Sequence, residues 1–293
     1  MQRIRGLLLT SRPVHLSLVA LTYLLGAGIA RYLGELQNLP AFWLGLGGVI
    51  CAQIGMNFLV EAFRPVEEPS EYEEDISERV RFRHTALLLA VASLATAAMI
   101  LVLLGKEIAL SPIVLFFAGL SLLTILASAV PPVRLVNRGF GEFAQSVHIG
   151  LIVPALGFVI QAAVYHRILA VVSFPLTLLA LAYFLVITFP TFASDNKFDR
   201  RTLLRSMGWE RAVPFHHGLI LGAYLLLAAA LKLGLAWELV WPAFLTFPFA
   251  ILQILWLRNI SLGAKPLWTL LTVNALAVFG LTTYLLTFAF WLR

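Results

Sequence analysis

The chain has 293 residues, of which 60% are hydrophobic and 12% are charged, and its mean hydropathy is +0.91. Soluble domains carry roughly a quarter charged residues, so this composition excludes an ordinary water-soluble fold, a disordered chain and a nucleic-acid-binding domain. The formal net charge of +6 is expected of a membrane protein with basic cytoplasmic loops. Cys51 is the only cysteine, so neither an intrachain disulfide nor a cysteine-based metal site can form.

Nine apolar segments run along the chain, separated by Pro, Gly or charged residues. Each is long enough to cross the hydrocarbon core, which takes about 20 residues as a helix. The segments are 14–33, 41–60, 85–104, 110–129, 143–164, 168–190, 213–234, 237–257 and 267–290. The first resembles a secretory signal peptide, but the later spans favour an uncleaved helix. The predicted fold class is all-α: a polytopic membrane protein with nine transmembrane helices around a central cavity open to the cytoplasmic side.

Lysine and arginine are distributed unevenly between the two ends of the predicted helices. The N-terminus and the loops after the second, fourth, sixth and eighth helices hold sixteen of these residues, whereas the remaining loops and the C-terminus hold five. Basic residues are enriched in cytoplasmic loops. We therefore expect a multi-pass protein of the cell inner membrane, with its N-terminus in the cytoplasm and its C-terminus outside.

The first polar cluster lies at the predicted cytoplasmic end of the second helix, in the sequence Asn57-Phe-Leu-Val-Glu61. Asn57 and Glu61 are four residues apart, so a helix places them on one face. The loop that follows is rich in acids, with a run from Glu67 to Asp75. Another acid-containing loop follows the sixth helix, four helices later. This spacing points to one cytoplasm-facing site built from both halves of the chain.

The second polar cluster follows the sixth helix. Asp195 and Asp199 share one face if the helix continues through them, and Lys197, Arg200 and Arg201 are close in sequence. Carboxylate and amide oxygens suit Mg²⁺, which bridges protein carboxylates to substrate phosphates. Arginine and lysine bind the phosphate oxygens. The pattern predicts a Mg²⁺–diphosphate site; the alternative is that these charges are solvated loop ends that anchor the helices in the headgroup region.

The third feature is a proline- and glycine-containing turn after the fourth helix, with the sequence Pro132-Val-Arg134-Leu-Val-Asn-Arg138-Gly139-Phe-Gly141-Glu142. Proline ends the preceding helix, and glycine permits a tight turn into the next one. Arg134 and Arg138 are therefore expected at the cytoplasmic mouth. They are either phosphate ligands or simply positive residues on the cytoplasmic side.

Polar residues inside the predicted spans are costly and often functional. They are Gln53, Asn57, Gln145, His148, Gln161, Gln253 and Asn274. For any one of them, a helix–helix hydrogen bond is the simpler interpretation.

Taken together, these features make the chain similar to the UbiA superfamily of intramembrane prenyltransferases. Proteins of that superfamily have nine transmembrane helices and two acidic motifs in cytoplasmic loops after helices two and six. The segments that carry the resemblance are Ser11-Arg12-Pro13, the turn from Pro132 to Glu142, and the stretch from Phe189-Pro190 through Arg200-Arg201-Thr202-Leu203 to Gly208. The middle segment most resembles the branch that prenylates 1,4-dihydroxy-2-naphthoate for menaquinone. The resemblance implies that residues 1–293 form a single UbiA-like transmembrane domain.

Both acidic motifs depart from the family pattern. The first motif of the family is Asn-Asp-x-x-Asp-x-x-x-Asp, and this chain has Phe58, Glu61 and Pro65 at the three acidic positions. In the second motif, Asp195-x-x-x-Asp199 has the internal spacing of the family. When the motif is instead aligned on the Thr-Leu tail without gaps, Thr191 stands at the first aspartate position, Asp195 at the second, and Asp199 where a glycine is usual.

The function implied by the resemblance is Mg²⁺-dependent transfer of a prenyl group from a polyprenyl diphosphate to an aromatic acceptor, in quinone-type biosynthesis within the membrane. The implied catalytic and metal-binding carboxylates are Glu61, Asp195 and Asp199. The implied substrate-binding residues are Asn57, Arg134, Arg138, Lys197, Arg200 and Arg201. The expected partners are these two substrates and membrane lipid, with no nucleic acid. The alternative is a non-catalytic, UbiA-like subunit that binds quinone or lipid.

Overall fold

The structure is a computed structural model that describes residues 2–36, 38–65 and 76–293, with side chains from Arg5 onward. Within these ranges the regular structure is entirely helical, which confirms the all-α class. The α-helices are α1 (Gln2–Thr10), α2 (Pro13–Tyr32), α3 (Leu39–Ala62), α4 (Ile76–Glu107), α5 (Pro112–Ala129), α6 (Gly141–Val147), α7 (Val153–Ala162), α8 (Arg167–Val186), α9 (Phe192–Lys197), α10 (Leu203–Met207), α11 (Trp209–Ala230), α12 (Trp237–Val240), α13 (Phe247–Ser261) and α14 (Trp268–Trp291).

Nine helical segments of the described chain are long and apolar enough to cross a membrane, as predicted. They are Arg5–Tyr32, Leu39–Ala62, Ile76–Glu107, Pro112–Ala129, Gly141–Ala162, Arg167–Val186, Trp209–Ala230, Trp237–Ser261 and Trp268–Trp291. The chain is thus a multi-pass integral membrane protein. Its orientation, and the side on which a cavity opens, stay predictions.

Helix α4 is longer than its hydropathy predicts. It has 32 residues and begins at Ile76, whereas the apolar segment begins at residue 85. At a rise of 1.5 Å per residue such a helix extends about 48 Å, well beyond the roughly 30 Å hydrocarbon core. Its charged first turns therefore project beyond that core. Arg83 in this projection donates to the carbonyl of Pro65 over 2.6 Å, which ties it to the end of α3.

The fifth span is the most enclosed by protein of those described, and it contains a helical irregularity. Helices α6 and α7 are joined end to end by a π-helical turn, His148–Ile152. Such turns insert an extra residue into an α-helix and are frequent at functional sites. The insertion gives α6 and α7 different registers within one continuous span.

Small residues bring α7 into close contact with α2. A Cβ atom at Gly157 would collide with the carbonyl of Tyr23, and one at Gly26 would collide with the carbonyl of Pro154. Close backbone approach through glycine is a common way to pack helices in lipid, where the hydrophobic effect does not drive their association. These two glycines therefore set the spacing between the first and fifth spans.

The sixth span ends earlier than predicted, at Val186 rather than near residue 190. A turn follows, and the next helix covers only Phe192–Lys197. Asp199 has a left-handed backbone with φ of 52°. A continuous helix through Asp195 and Asp199 is therefore wrong, and the two carboxylates do not share a helix face.

Several polar residues within the spans form hydrogen bonds between helices, as the simpler interpretation predicts. Asn274 on α14 donates to Gln253 Oε1 on α13 over 2.7 Å. Gln161 Nε2 donates to the carbonyl of Asn38 over 3.2 Å, which joins α7 to the start of α3. A second set of such bonds, around His148, is described below.

Candidate functional site

Two cavities adjoin at the end of the bundle where α3 and α8 finish. The larger, called the polar cavity, has a volume of about 220 Å³ and is lined by Arg12, His15, Asn57, Val60, Val136, Gly141, Glu142, Gln145, Phe184, Ile187, Thr188, Thr191, Asp195, Arg200 and Thr202. The smaller, called the arginine cavity, has about 20 Å³ and is lined by Arg12, Val60, Glu61, Arg64, Arg134, Val136, Asn137 and Arg200. Since four residues line both, the two cavities form one polar site.

Asp195 is the buried carboxylate contributed by the second motif. Its side chain is 3% exposed, in the first turn of the short helix that follows the turn after α8. The Thr191 hydroxyl donates to Asp195 Oδ2 over 3.0 Å, and Arg200 Nη1 lies 3.8 Å from Oδ1. The chain turns back after the short helix, and the Arg200 N–H donates to the Asp195 carbonyl over 2.9 Å. This turn brings an acid and a base to the same cavity wall.

Arg12 is a site residue that the sequence-based assignment omits. It lies between α1 and α2 in a left-handed conformation with φ of 51°, immediately before Pro13. Its side chain lines both cavities, beside Arg200. The only sequence signal is its place in Ser11-Arg12-Pro13, because a lone arginine near an N-terminus resembles any other cytoplasmic charge.

Glu142 is a second carboxylate on the polar cavity. It lies in the first turn of α6, and its side chain is 9% exposed. Both of its carboxylate oxygens accept from the Leu203 N–H, over 3.2 and 3.3 Å. This contact fastens the start of α10 to the start of α6. Its presence at the end of the Arg-Gly-Phe-Gly-Glu segment is the only sequence signal for this role.

Two buried polar atoms of the polar cavity lack a hydrogen-bond partner among the described residues. They are His15 Nδ1 and Gln145 Nε2, on α2 and α6. Buried polar groups in folded proteins are nearly always hydrogen-bonded, and an unpaired one costs free energy. Both residues line the cavity, so a polar ligand or water there would satisfy them.

The first motif contributes two residues from the last turns of α3. Asn57 lines the polar cavity and donates to the carbonyl of Ser11 over 2.8 Å. Glu61 lines the arginine cavity and pairs with Arg64 over 3.2 Å. Helical spacing therefore places them in neighbouring parts of the same site.

Asp199 has a different environment from Asp195. It is exposed, lines neither cavity, and accepts from Arg205 Nη2 over 2.7 Å. This hydrogen bond and the positive charge of Arg205 lower the pKa of the Asp199 carboxyl below its usual value. Its assignment as a metal ligand stays a prediction, and Arg205 is a competing partner.

The predicted phosphate ligands divide into two groups. Arg134 and Arg200 line the cavities. The exposed residues Arg138, Lys197 and Arg201 do not. Arg138 instead donates to the carbonyl of Pro132 over 2.9 Å, and the ammonium of Lys197 lies 5.4 Å from the ring centre of Phe198.

The polar site offers carboxylate oxygens, the type of donor that binds Mg²⁺ in proteins. Within the described ranges, no group of three His, Cys, Asp or Glu side chains could hold a metal by itself. Mg²⁺ typically takes only one or two protein carboxylates and completes its shell with water and substrate phosphates. Asp195 and Glu61 offer such carboxylates at the joined cavities. The acid run from Glu67 to Asp75 lies outside the described residues.

Comparison with known proteins gives structural matches alone, since no family model and no curated protein sequence matches the chain. A UbiA homolog from Archaeoglobus fulgidus bound to GPP and Mg²⁺ is 16% identical with a TM-score of 0.63, covering 98% of this chain and 99% of that one. The homolog bound to DMAPP and Mg²⁺ is 15% identical with a TM-score of 0.61, covering 96% and 98%. The Cd²⁺-bound structure is 14% identical with a TM-score of 0.60, covering 98% and 99%. Over nearly its whole length, the chain therefore has the fold of a UbiA homolog.

Proposed function

We propose that this protein is a UbiA-type prenyltransferase, which transfers a prenyl group from a prenyl diphosphate to an acceptor within the membrane. The observation that carries the proposal is the joined cavity pair, where Asp195 meets Arg12 and Arg200 in a helical fold otherwise built of apolar spans. Two of the three structural neighbours were bound to a prenyl diphosphate, GPP or DMAPP, together with Mg²⁺.

The arginines of the site would bind the diphosphate. Arg12 and Arg200 line both cavities, and Arg134 lines the smaller one. A guanidinium group is always charged and donates two parallel hydrogen bonds to phosphate oxygens. The negative charge that develops on the leaving diphosphate is stabilised by these preorganised donors. Exclusion of water from the reacting carbon would protect it from hydrolysis.

Mg²⁺ would be held by Asp195 and Glu61 together with the substrate phosphates. When bound, it neutralises part of the charge of the leaving group. The protein would orient the Asp195 carboxylate through the hydroxyl of Thr191 and the guanidinium of Arg200. Asp199 remains a proposed third ligand, to be weighed against its contact with Arg205.

The chemistry is a substitution at the first carbon of the prenyl group. Its bond to the diphosphate oxygen breaks, a bond to an electron-rich carbon of the acceptor forms, and the acceptor carbon loses a proton. An aromatic acceptor of the 1,4-dihydroxy-2-naphthoate type is the finer proposal, because the turn from Pro132 to Glu142 resembles that branch. The same proposal includes one domain over residues 1–293, in a cell inner membrane, with a cytoplasmic N-terminus.

A second candidate is a non-catalytic subunit that binds quinone or lipid. Two contacts favour it: Glu61 is paired with Arg64, and Glu142 is engaged with the backbone of Leu203. Carboxylates held in this way contribute to structure without any metal.

The deciding experiment is prenyl transfer by the purified protein in detergent, with radiolabelled geranylgeranyl diphosphate and a panel of aromatic acceptors, in Mg²⁺ or EDTA. We expect the wild type to form product in Mg²⁺ but not in EDTA, and we expect the Asp195→Asn variant to form none. Glu238→Gln is the matched control, since Glu238 is exposed at the opposite end of the seventh and eighth spans. Absence of product with every acceptor, together with absence of Mg²⁺-dependent diphosphate binding, would favour the non-catalytic subunit.

A further inference from the structure

A second cavity of substantial size lies between α3, α4, α5 and α7, away from the polar site. Its volume is about 160 Å³, and it is called the apolar cavity. Glycine, alanine and larger aliphatic residues make up its walls, including Gly48, Leu94, Ala118 and Leu156. Among the described residues that line it, Ser121 alone has a polar side chain. The cavity reaches the surface of the bundle beside Leu122, which is 47% exposed.

A buried chain of hydrogen bonds connects the apolar cavity to the polar cavity. Ser121 Oγ lies 2.9 Å from His148 Nε2, and His148 Nδ1 lies 3.2 Å from Gln53 Oε1. Gln53 Nε2 lies 2.9 Å from Asn57 Oδ1. Asn57 Nδ2 lies 2.8 Å from the carbonyl oxygen of Ser11. His148, Gln53 and Asn57 are nearly inaccessible to solvent.

The direction of every hydrogen bond in this chain follows from its last member. The carbonyl of Ser11 can only accept, so Asn57 must turn its amide nitrogen toward it and its oxygen toward Gln53. Gln53 must then donate to Asn57, which leaves the Gln53 oxygen facing His148. The His148 ring therefore carries its proton on Nδ1.

The same logic fixes the proton of Ser121. A neutral imidazole has one N–H, and an uncharged ring is the form that an apolar interior accommodates at least cost. With Nδ1 protonated, His148 Nε2 accepts, so the Ser121 hydroxyl donates to it. Ser121 then presents only oxygen lone pairs to the apolar cavity.

We propose that the apolar cavity is a binding site for a lipid-soluble molecule that carries a hydroxyl group, and that this hydroxyl donates to Ser121 Oγ. A dry cavity of about 150 Å³ holds a benzene ring, so the space fits the hydroxylated end of a ligand whose remainder extends toward Leu122 and the lipid. A ketone or an ether offers no donor and is discriminated against, because the hydroxyl proton of Ser121 is committed to His148. The site does not depend on the proposed prenyl transfer.

The test measures binding of matched fluorinated probes to the full chain in detergent by ¹⁹F NMR. One pair is 4-(trifluoromethyl)phenol and its methyl ether, and the other is 4,4,4-trifluorobutan-1-ol and its methyl ether. The variants are Ser121→Ala, Ser121→Thr, which keeps the hydroxyl, and Ala118→Phe, which fills the cavity. Gly119→Ala is the control on the same helix, since its added Cβ meets nothing within 4 Å.

We expect the wild type to bind each hydroxyl probe about two- to tenfold more tightly than its ether, as one buried hydrogen bond provides. Ser121→Ala should bind the hydroxyl probe and its ether equally, and Ser121→Thr should keep the preference for the hydroxyl probe. Ala118→Phe should show no saturable binding of either probe. The pair with the larger ratio identifies the ligand as a phenol or an aliphatic alcohol. The proposal is overturned if the ratio of hydroxyl-probe affinity to ether affinity is the same in the wild type and in Ser121→Ala. It is also overturned if the ethers bind more tightly than the hydroxyl probes, or if Ala118→Phe binds the probes as well as the wild type does. If Ser121→Ala does not fold, a ratio near one in the wild type overturns it as well.

Discussion

The hydroxyl of Thr191 donates to Asp195 Oδ2 over 3.0 Å. Thr191, which the resemblance to UbiA proteins aligns with the first aspartate of the second motif, thus contacts the carboxylate aligned with the second aspartate. We expect Thr191→Val to reduce prenyl diphosphate affinity about two- to tenfold, the contribution of one hydrogen bond. Thr191→Ser, which keeps the hydroxyl, is the control. Binding is measured by titration in Mg²⁺, and equal affinities in the two variants would show that the contact is dispensable.

Neighbouring arginines should differ in their effect on diphosphate binding. Arg200 lines both cavities and lies 3.8 Å from Asp195, whereas Arg201 is exposed and outside them. Arg200→Gln should weaken inorganic pyrophosphate binding about tenfold or more, because a charged hydrogen-bond donor is lost. Arg201→Gln should change it less than about twofold, as expected of an exposed charge. Calorimetry in detergent distinguishes the two, and the reverse order would move the phosphate site out of the cavities.

The titration of Asp199 tests whether Arg205 or a metal is its partner. Because the pairing lowers the pKa of the carboxyl, the ion pair is present above the ordinary aspartate value of about 3.9 and is lost only as the pH falls through the lower, folded value. Carboxyl ¹³C NMR should show a higher pKa for the Asp199 carboxyl in Arg205→Gln than in the wild type. If Arg205 remains the partner of Asp199, addition of Mg²⁺ and pyrophosphate should leave the titration of Asp199 unchanged. A large Mg²⁺-induced shift would instead support Asp199 as a metal ligand.

Glycine at the contact between the first and fifth spans is needed for stability. A Cβ at Gly157 collides with the Tyr23 carbonyl, so Gly157→Ala should lose about 1–3 kcal/mol through overpacking. Gly119→Ala should be neutral or slightly stabilising, because alanine is favoured over glycine in a helix. Thermal unfolding in detergent compares the two. Equal melting temperatures would mean that α2 and α7 separate at little cost.

The protonation state of the His148 ring can be measured directly. In ¹⁵N NMR spectra at neutral pH, one ring nitrogen should have the shift of a protonated atom and be assigned to Nδ1, and Nε2 should have the shift of an unprotonated atom. His148→Gln removes this pair of signals and so assigns them. A protonated Nε2 with an unprotonated Nδ1 would reverse the deduced direction of the hydrogen-bond chain.

Hydropathy was sufficient to predict the nine spans because the cost of placing polar groups in hydrocarbon acts on every residue of a segment. It was not sufficient for the turns that build the site. The end of α8 at Val186 and the left-handed backbone at Asp199 are details of the backbone path, which the hydropathy of a segment does not encode. Helical spacing correctly places Asn57 and Glu61 on one helix, because both residues precede the end of α3.

Arg12 shows a second limit of the sequence. Its place in the site depends on where the start of α2 lies relative to α3 and to the turn that bears Arg200, and no local pattern encodes this relation. Glu142 is similar, because its contact with Leu203 joins segments that are 61 residues apart.

The number of residues in the π-helical turn His148–Ile152 fixes the rotation of α6 relative to α7. Two contacts depend on that rotation, one between His148 and Ser121 and one between Gly157 and Tyr23. Successive residues of an α-helix are rotated by about 100°, so deletion of one residue from this turn would rotate everything on one side of it by that angle. If α6 keeps His148 beside Ser121, Gly157 turns away from Tyr23; if α7 keeps Gly157 in place, His148 turns away from Ser121. The extra residue therefore sets the rotation at which one span can contact Ser121 through α6 and Tyr23 through α7, whereas a regular helix would lose one of the two contacts.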